Sequence, residues 1–251
     1  MDGFMAGERG SALAAGVEAE FVDVGGTRRR ELFAACWHER FEDAAPVRGF
    51  RWATGQRHFP GWWWSATTGR HVGYESWLER DHAMMLDFDP QVAAFCSQPF
   101  WLRWVQAGKS RRHAPDYFAR LADGTAVVID VRPDDRVPAK DAEVFKVTAG
   151  ICAGVGWAYR RAGALDPVRA ANVRWLAGYR HPRCADPEVA ARLLEVFASK
   201  AGLLAGAREA GDPLAVLPAL YHLLWSGALA ADLASAPLGA GSAVVAVGGP
   251  P

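Results

Sequence analysis

The chain has 251 residues, 51% of them hydrophobic and 22% charged, with 28 Lys and Arg against 28 Asp and Glu. This is the composition of a globular protein that buries a core, with room for one large domain or two small ones, and it excludes a disordered chain and a membrane-embedded one. The zero net charge, taken as a whole-chain sum, argues against a nucleic-acid partner.

Residues 1–24 mix Gly, Ala and acids without periodicity and are expected to form a mobile arm. From 27 to 42, TRRRELFAACWHERFE spaces Leu32, Phe33, Cys36, Trp37 and Phe41 as a helix would. Short strands with turns at Thr54-Gly55, Pro60-Gly61 and Thr68-Gly69 are expected next, around the consecutive Trp62, Trp63 and Trp64. Such a run cannot point one way on any regular element, so the indoles either brace a loop on the core or form an exposed platform.

A helix over 75–88 carries Trp77, Leu78, Met84, Met85 and Phe88 on one side and stops at Asp89-Pro90. Strands follow at 92–95 and 100–105. A hairpin of strands 117–121 and 126–131 turns through Ala122-Asp123-Gly124. A helix at 141–153, a strand at 156–160 and a helix at 167–179 complete a mixed sheet with helices on its faces. Beyond Pro187 the pattern is three short helices, at 187–201, 214–223 and 227–233, before a ribbon at 243–247, an order that suggests a winged helix. Its third helix, GALAADL, has no base and no amide, which favours docking a protein over reading DNA.

Cys36, Cys96, Cys152 and Cys184 form no CxxC pair and lie at no zinc spacing, so neither disulfides nor structural zinc are expected. No stretch nears the roughly 18 apolar residues of a membrane span, and MDGFMAGERG lacks the features of a secretory signal, so a cytoplasmic location is expected.

Charge is unevenly placed. Segments 1–45, 46–185 and 186–251, taken as an N-terminal arm with helix, a central domain and a C-terminal domain, carry −4, +7 and −3. The hairpin brings Asp116 and Asp130 near each other, and Glu79, or Glu75 one turn before it, projects a third carboxylate from the preceding helix. Convergent carboxylates are costly unless a divalent cation neutralises them, and oxygen-only ligands favour Mg²⁺ or Mn²⁺. Lys109, Arg111, Arg112 and His113 beside them suit a phosphate backbone. The alternative is an exposed hairpin with an acid at each end, Asp116 capping a turn.

Pro115-Asp116 followed by Asp130-Val131-Arg132, after a helix bearing Glu79, is similar to the PD-(D/E)xK nuclease pattern. Ser76-Trp77-Leu78-Glu79, Asp87-Phe88, Gln98-Pro99, Pro115-Asp116-Tyr117-Phe118 and Val128 to Pro133 resemble TnsA more narrowly, over roughly residues 50–180. TnsA is the restriction-like endonuclease subunit of Tns-type heteromeric transposases. Asn172-Val173-Arg174-Trp175-Leu176 falls where that family closes its nuclease domain. The resemblance implies an α/β restriction-endonuclease-like domain with a winged-helix-like C-terminal domain. It also implies Mg²⁺-dependent hydrolysis at the 5′ ends of a transposon, a DDE transposase partner, and an AAA+ ATPase regulator docked on the C-terminal part. In that reading Glu79, Asp116 and Asp130 hold the metal. Arg132 stands where the family has lysine; it can clamp a phosphate but cannot transfer a proton. Either it supplies charge alone, or Lys140 or Lys146 reaches in, or the subunit binds DNA without cutting. A stand-alone restriction or repair nuclease is the other alternative.

Overall fold

The computed structural model describes residues 16–50 and 59–248, which fall into two compact units: 16–86 with 91–164, and 87–90 with 165–248. In the first unit a hairpin comes first, β1 (Glu18–Val22) with β2 (Arg28–Leu32), followed by the one-turn helix α1 (Phe33–Cys36). A second hairpin pairs β3 (Gly61–Trp64) with β4 (His71–Tyr74), and the helix α2 (Trp77–Phe88) follows it. Then come β5 (Val92–Ser97), β6 (Phe100–Gln106), β7 (Lys109–His113), β8 (Tyr117–Leu121) and β9 (Ala126–Val131). Helix α3 (Ala139–Gly154) crosses over to β10 (Ala158–Ala162).

The strands form two four-stranded sheets, β2-β1-β6-β7, antiparallel throughout, and β10-β9-β8-β5, in which β10 runs parallel to β9. Alternation along a strand sends successive side chains to opposite faces. Phe118, Ala126 and Val128 accordingly enter one core with Ile151 and Cys152 of α3 and Phe100 and Leu102 of β6. Tyr117, Ala119, Ile129 and Val131 enter another with Ala83 and Leu86 of α2. The β8–β9 hairpin is thus buried on both faces, which explains its near-continuous apolar run. Phe41–Phe100 and Phe118–Trp157 ring pairs, at 4.8 and 5.0 Å, lock the first core, each contributing about 0.5–1.5 kcal/mol beyond area burial.

In the second unit three helices begin with Asp-Pro: α4 (Pro167–Leu176), α5 (Pro187–Val196) and α7 (Pro213–Trp225). Asp166, Asp186 and Asp212 accept main-chain N–H groups of the first turn, and proline at the first helical position loses no hydrogen bond. Between them lie β11 (Ala201–Gly202) and α6 (Leu203–Ala210). Strands β12 (Leu229–Ala231) and β13 (Ala243–Ala246) complete a small antiparallel sheet, β11-β13-β12.

Several expectations are corrected. Residues 28–32 are a strand, not the start of a helix, because Arg30 and Arg28 face Glu18 and Glu20 across the hairpin. Of the expected arm, residues 18–22 are the strand β1, paired on both sides; 1–15 lie outside the described residues, as does the turn at Thr54-Gly55. Residues 227–233 are not the third helix of the C-terminal part: Leu229–Ala231 pairs with β13, and α6, absent from the sequence reading, is the helix between α5 and α7. The two compact units divide at 164/165, which places Asn172 and Trp175 in the second. Arg28, Arg29 and Arg30 are spent on Glu20, Glu31, Glu39 and Glu18.

Candidate active site

Strand β9 ends with Asp130 on the face shared with Ala126 and Val128, so its carboxylate is carried into a largely apolar layer and is 2% exposed. Two side chains meet it there. His113, the last residue of β7, places Nε2 at 2.8 and 3.0 Å from Oδ1 and Oδ2, and the Tyr159 hydroxyl of β10 donates to Oδ2 at 2.8 Å. Phe145 of α3 packs edge-on against the imidazole, with centroids 6.1 Å apart. Burial and then the charge of Asp130 push the Tyr159 phenol well above its usual range, so it stays a donor.

Asp116 sits where the chain enters β8. Its Oδ2 accepts the main-chain N–H of Val131 at 2.7 Å, and its own carbonyl accepts from Gln98 N at 2.9 Å. Burial, then the negative charges of Glu79 and Asp130, push its carboxyl well above the usual carboxylate range, against the opposing pull of the Val131 N–H and the Arg132 charge. Gln98 adopts φ +48°, an uncommon conformation for a residue with a side chain, and is 2% exposed.

Glu79 approaches from α2. Ser76 caps that helix: its Oγ accepts the Glu79 N–H, while Glu79 Oε1 accepts the Ser76 hydroxyl and Oε2 the Glu75 N–H. The Tyr117 hydroxyl donates to the Glu79 carbonyl, tying the helix start to β8. Burial raises the Glu79 carboxyl, with the Glu75 charge adding to it. Glu75, the reserve candidate, is bound to Arg48 at 2.8 Å.

Each expected site residue therefore has a definite place. Glu79 and Asp130 each lie near enough to Asp116 to act on it electrostatically. Arg132 is half exposed, 3.5 Å from Asp141, and Lys140 and Lys146 are exposed on α3. Lys109, Arg111 and Arg112 are exposed on the edge strand β7, with Arg112 over the Trp101 ring at 4.5 Å. His113 is turned onto Asp130. The pairing of Asp130 with His113 and Tyr159 was missed in the sequence, although strand parity puts Lys109, Arg111 and His113 on one side of β7. Trp63 packs on the α2-side core, whereas Trp62 is half exposed against Phe50, so neither reading of the tryptophan run holds for the whole of it.

Among the described residues no three carboxylate, imidazole or thiol groups are gathered tightly enough to ligate one ion together. The donor chemistry nonetheless fits Mg²⁺ or Mn²⁺, since Mg²⁺ keeps several waters and takes only one or two carboxylates from protein. Asp116 and Asp130 would be those two. A divalent charge there would relieve the repulsion that holds the Asp116 carboxyl up. Set beside known proteins, the chain matches no family model and no curated protein.

Proposed function

We propose that the chain is a Mg²⁺-dependent DNA endonuclease of the restriction-endonuclease-like, TnsA type, acting as the nuclease subunit of a heteromeric transposase. The observation that carries this reading is the half-buried Asp116 at the entry to β8, anchored to the Val131 N–H and acted on by the charges of Glu79 and Asp130, with Arg132 just past the end of β9. The reaction is hydrolysis at the 5′ ends of an element: a water oxygen bonds to phosphorus, the P–O3′ bond breaks, and the departing 3′ oxygen takes a proton. Asp116 and Asp130 would hold a divalent ion, which would supply a water of lowered pKa and neutralise charge on the phosphate. Arg132 balances charge on the phosphate oxygens, and Lys109 and Arg111 hold the flanking backbone. Glu79 fixes the start of α2 and adds to the negative field that favours a cation. The order α5, β11, α6, α7, β12, β13 supports a winged helix in the second unit. Its third helix, PLAVLPALYHLLW, has no Lys or Arg, and Leu214 on it is 86% exposed, which supports docking of the transposase or ATPase partner there.

A second reading, a DNA-binding subunit without cleavage, is favoured by one observation, the engagement of Arg132 with Asp141. Purified protein, with and without an integrase-type partner, incubated with end-containing DNA and Mg²⁺ separates the two. Metal-dependent cleavage lost in Asp116→Ala supports the nuclease; DNA binding without cleavage under both conditions overturns it. Cleavage in the absence of any partner supports a stand-alone nuclease.

A further inference from the structure

Asp130 is a nearly inaccessible carboxylate whose charge is met by no lysine or arginine among the described residues. A charge so placed must be solvated by the protein itself. Its two donors come from separate pieces of chain, His113 from the edge strand of one sheet and Tyr159 from the neighbouring strand of the other, while Phe145 of α3 packs against the imidazole. Distribution matters as much as number. Oδ2 accepts from both His113 and Tyr159, whereas Oδ1 accepts from His113 alone. Each carboxylate oxygen has two lone pairs, and the one hydrogen on His113 Nε2 is shared between the two oxygens, so Oδ1, without the Tyr159 bond, keeps the larger free acceptor capacity.

We propose that His113 and Tyr159 are positioning residues which turn the Asp130 carboxylate so that Oδ1 is the oxygen offered to the divalent cation. This rests on the metal reading of the site and goes beyond it by assigning the surrounding shell. Hydrogen bonds to a ligating carboxylate fix its orientation, and their loss typically weakens metal affinity by roughly 10–100-fold. His113 thereby connects the basic face of β7 to the metal carboxylate on β9, so the strand that carries Lys109 and Arg111 also carries the residue that holds the Asp130 carboxylate.

The test uses the full chain and Mn²⁺ alone, with affinity read by electron paramagnetic resonance of the free ion and folding by thermal melting. Tyr159→Phe and His113→Ala should each weaken Mn²⁺ binding by roughly 10–100-fold, and His113→Gln, which restores an N–H donor at similar reach, should bind close to the parent. Binding equal to the parent in both Tyr159→Phe and His113→Ala, with binding lost in Asp116→Ala, overturns the positioning role and leaves the metal site standing. A parent that binds no Mn²⁺, or an Asp116→Ala variant that binds as the parent does, overturns the metal reading and this inference with it. Failure of His113→Gln to restore what His113→Ala loses also counts against the proposal. Should Tyr159→Phe not fold, the two His113 variants decide the matter.

Discussion

The main-chain N–H of Val131 donates to Asp116 Oδ2 at 2.7 Å, so the acid at the start of β8 is anchored to the residue that follows Asp130 on β9. Two carboxylates are thereby held at one end of a hairpin, and the energy that keeps them there is main-chain hydrogen bonding and core burial. A charge-free site would be more stable, which makes the pH response of Asp116 informative. Its folded-state carboxyl is raised by burial, Glu79 and Asp130, so the native state keeps a proton over a window in which the unfolded chain has lost it. Stability must fall as pH rises from the unfolded carboxylate value near 4 through that window. Asp116→Asn removes the effect: without metal, the variant should melt above the parent at neutral pH and level with it near pH 4. For a chain of this size about 1 kcal/mol corresponds to roughly 2–4 °C. A parent whose melting temperature does not decline relative to the variant over that range would show that Asp116 is not held protonated.

Arg132 is expected to act through charge. Arg132→Ala should lower the single-turnover cleavage rate by about 10²-fold, as loss of one preorganised charge stabiliser does, while Arg132→Lys retains most of it. Cleavage by Arg132→Ala at the parental rate would remove Arg132 from the site.

Strand parity divides the basic residues of β7. Lys109 and Arg111 share the side of His113, and Arg112 lies on the other, over Trp101. In titrations of DNA affinity against salt, Lys109→Ala and Arg111→Ala should each reduce the slope by about 1. Arg112→Ala should leave the slope unchanged and cost about 0.5–1 kcal/mol of stability from the lost cation–π contact. A slope equally affected by all three would mean that strand parity does not sort them.

Glu20 lies between Arg28 and Arg103. Burial opposes its ionisation, but the hydrogen bonds and charges of Arg103 and Arg28 prevail and its carboxyl is depressed below the usual range. The stability it contributes is present above the unfolded glutamate value near 4.3 and is lost as pH falls through the depressed folded value. Acid unfolding of Glu20→Gln, followed by circular dichroism, should show a weaker dependence on pH in that range than the parent. Identical acid profiles would show the pairs to be energetically idle.

In the second unit, the buried Asn172 amide donates to the Leu233 and Ala236 carbonyls at 2.9 Å each, and its Oδ1 accepts from Leu238 N at 2.8 Å. Asn172→Ala strands those groups, at about 1–3 kcal/mol per unpaired polar group. Hydrogen exchange should accelerate across 233–238 before it changes in β8 and β9. Unchanged protection of 233–238 would contradict the pinning role.

The hairpin that brings Asp116 and Asp130 together was legible because Asp123-Gly124 marks its turn, with Gly124 at φ +87°, between two apolar runs. The helix of Glu79 was legible from its apolar face and Asp89-Pro90 stop. Strand β7 was not, since KSRRH carries no apolar signal and is a strand only because β6 pairs with it. For the same reason Arg28–Leu32 read as a helix: its partner Glu18–Val22 lies across a turn, and the ion pairs that select the hairpin are cross-strand. Leu229–Ala231 has helix-favouring Ala and Leu, and pairing with β13 overrides that preference. The Asp130 clamp escaped notice because His113 and Tyr159 are 17 residues before it and 29 after.

The neutralised arginines of β2 have a kinetic consequence. A protein with zero formal net charge, whose arginine run is cancelled within its own hairpin, has little net attraction for a polyanion at long range, and its basic surfaces act within a Debye length of about 8 Å. Its encounters with a polyanion then proceed at the unsteered rate, about 10⁵–10⁶ M⁻¹s⁻¹. For the proposed nuclease, so little long-range attraction would make it slow to collect stray DNA and would leave delivery to a target to an escorting protein.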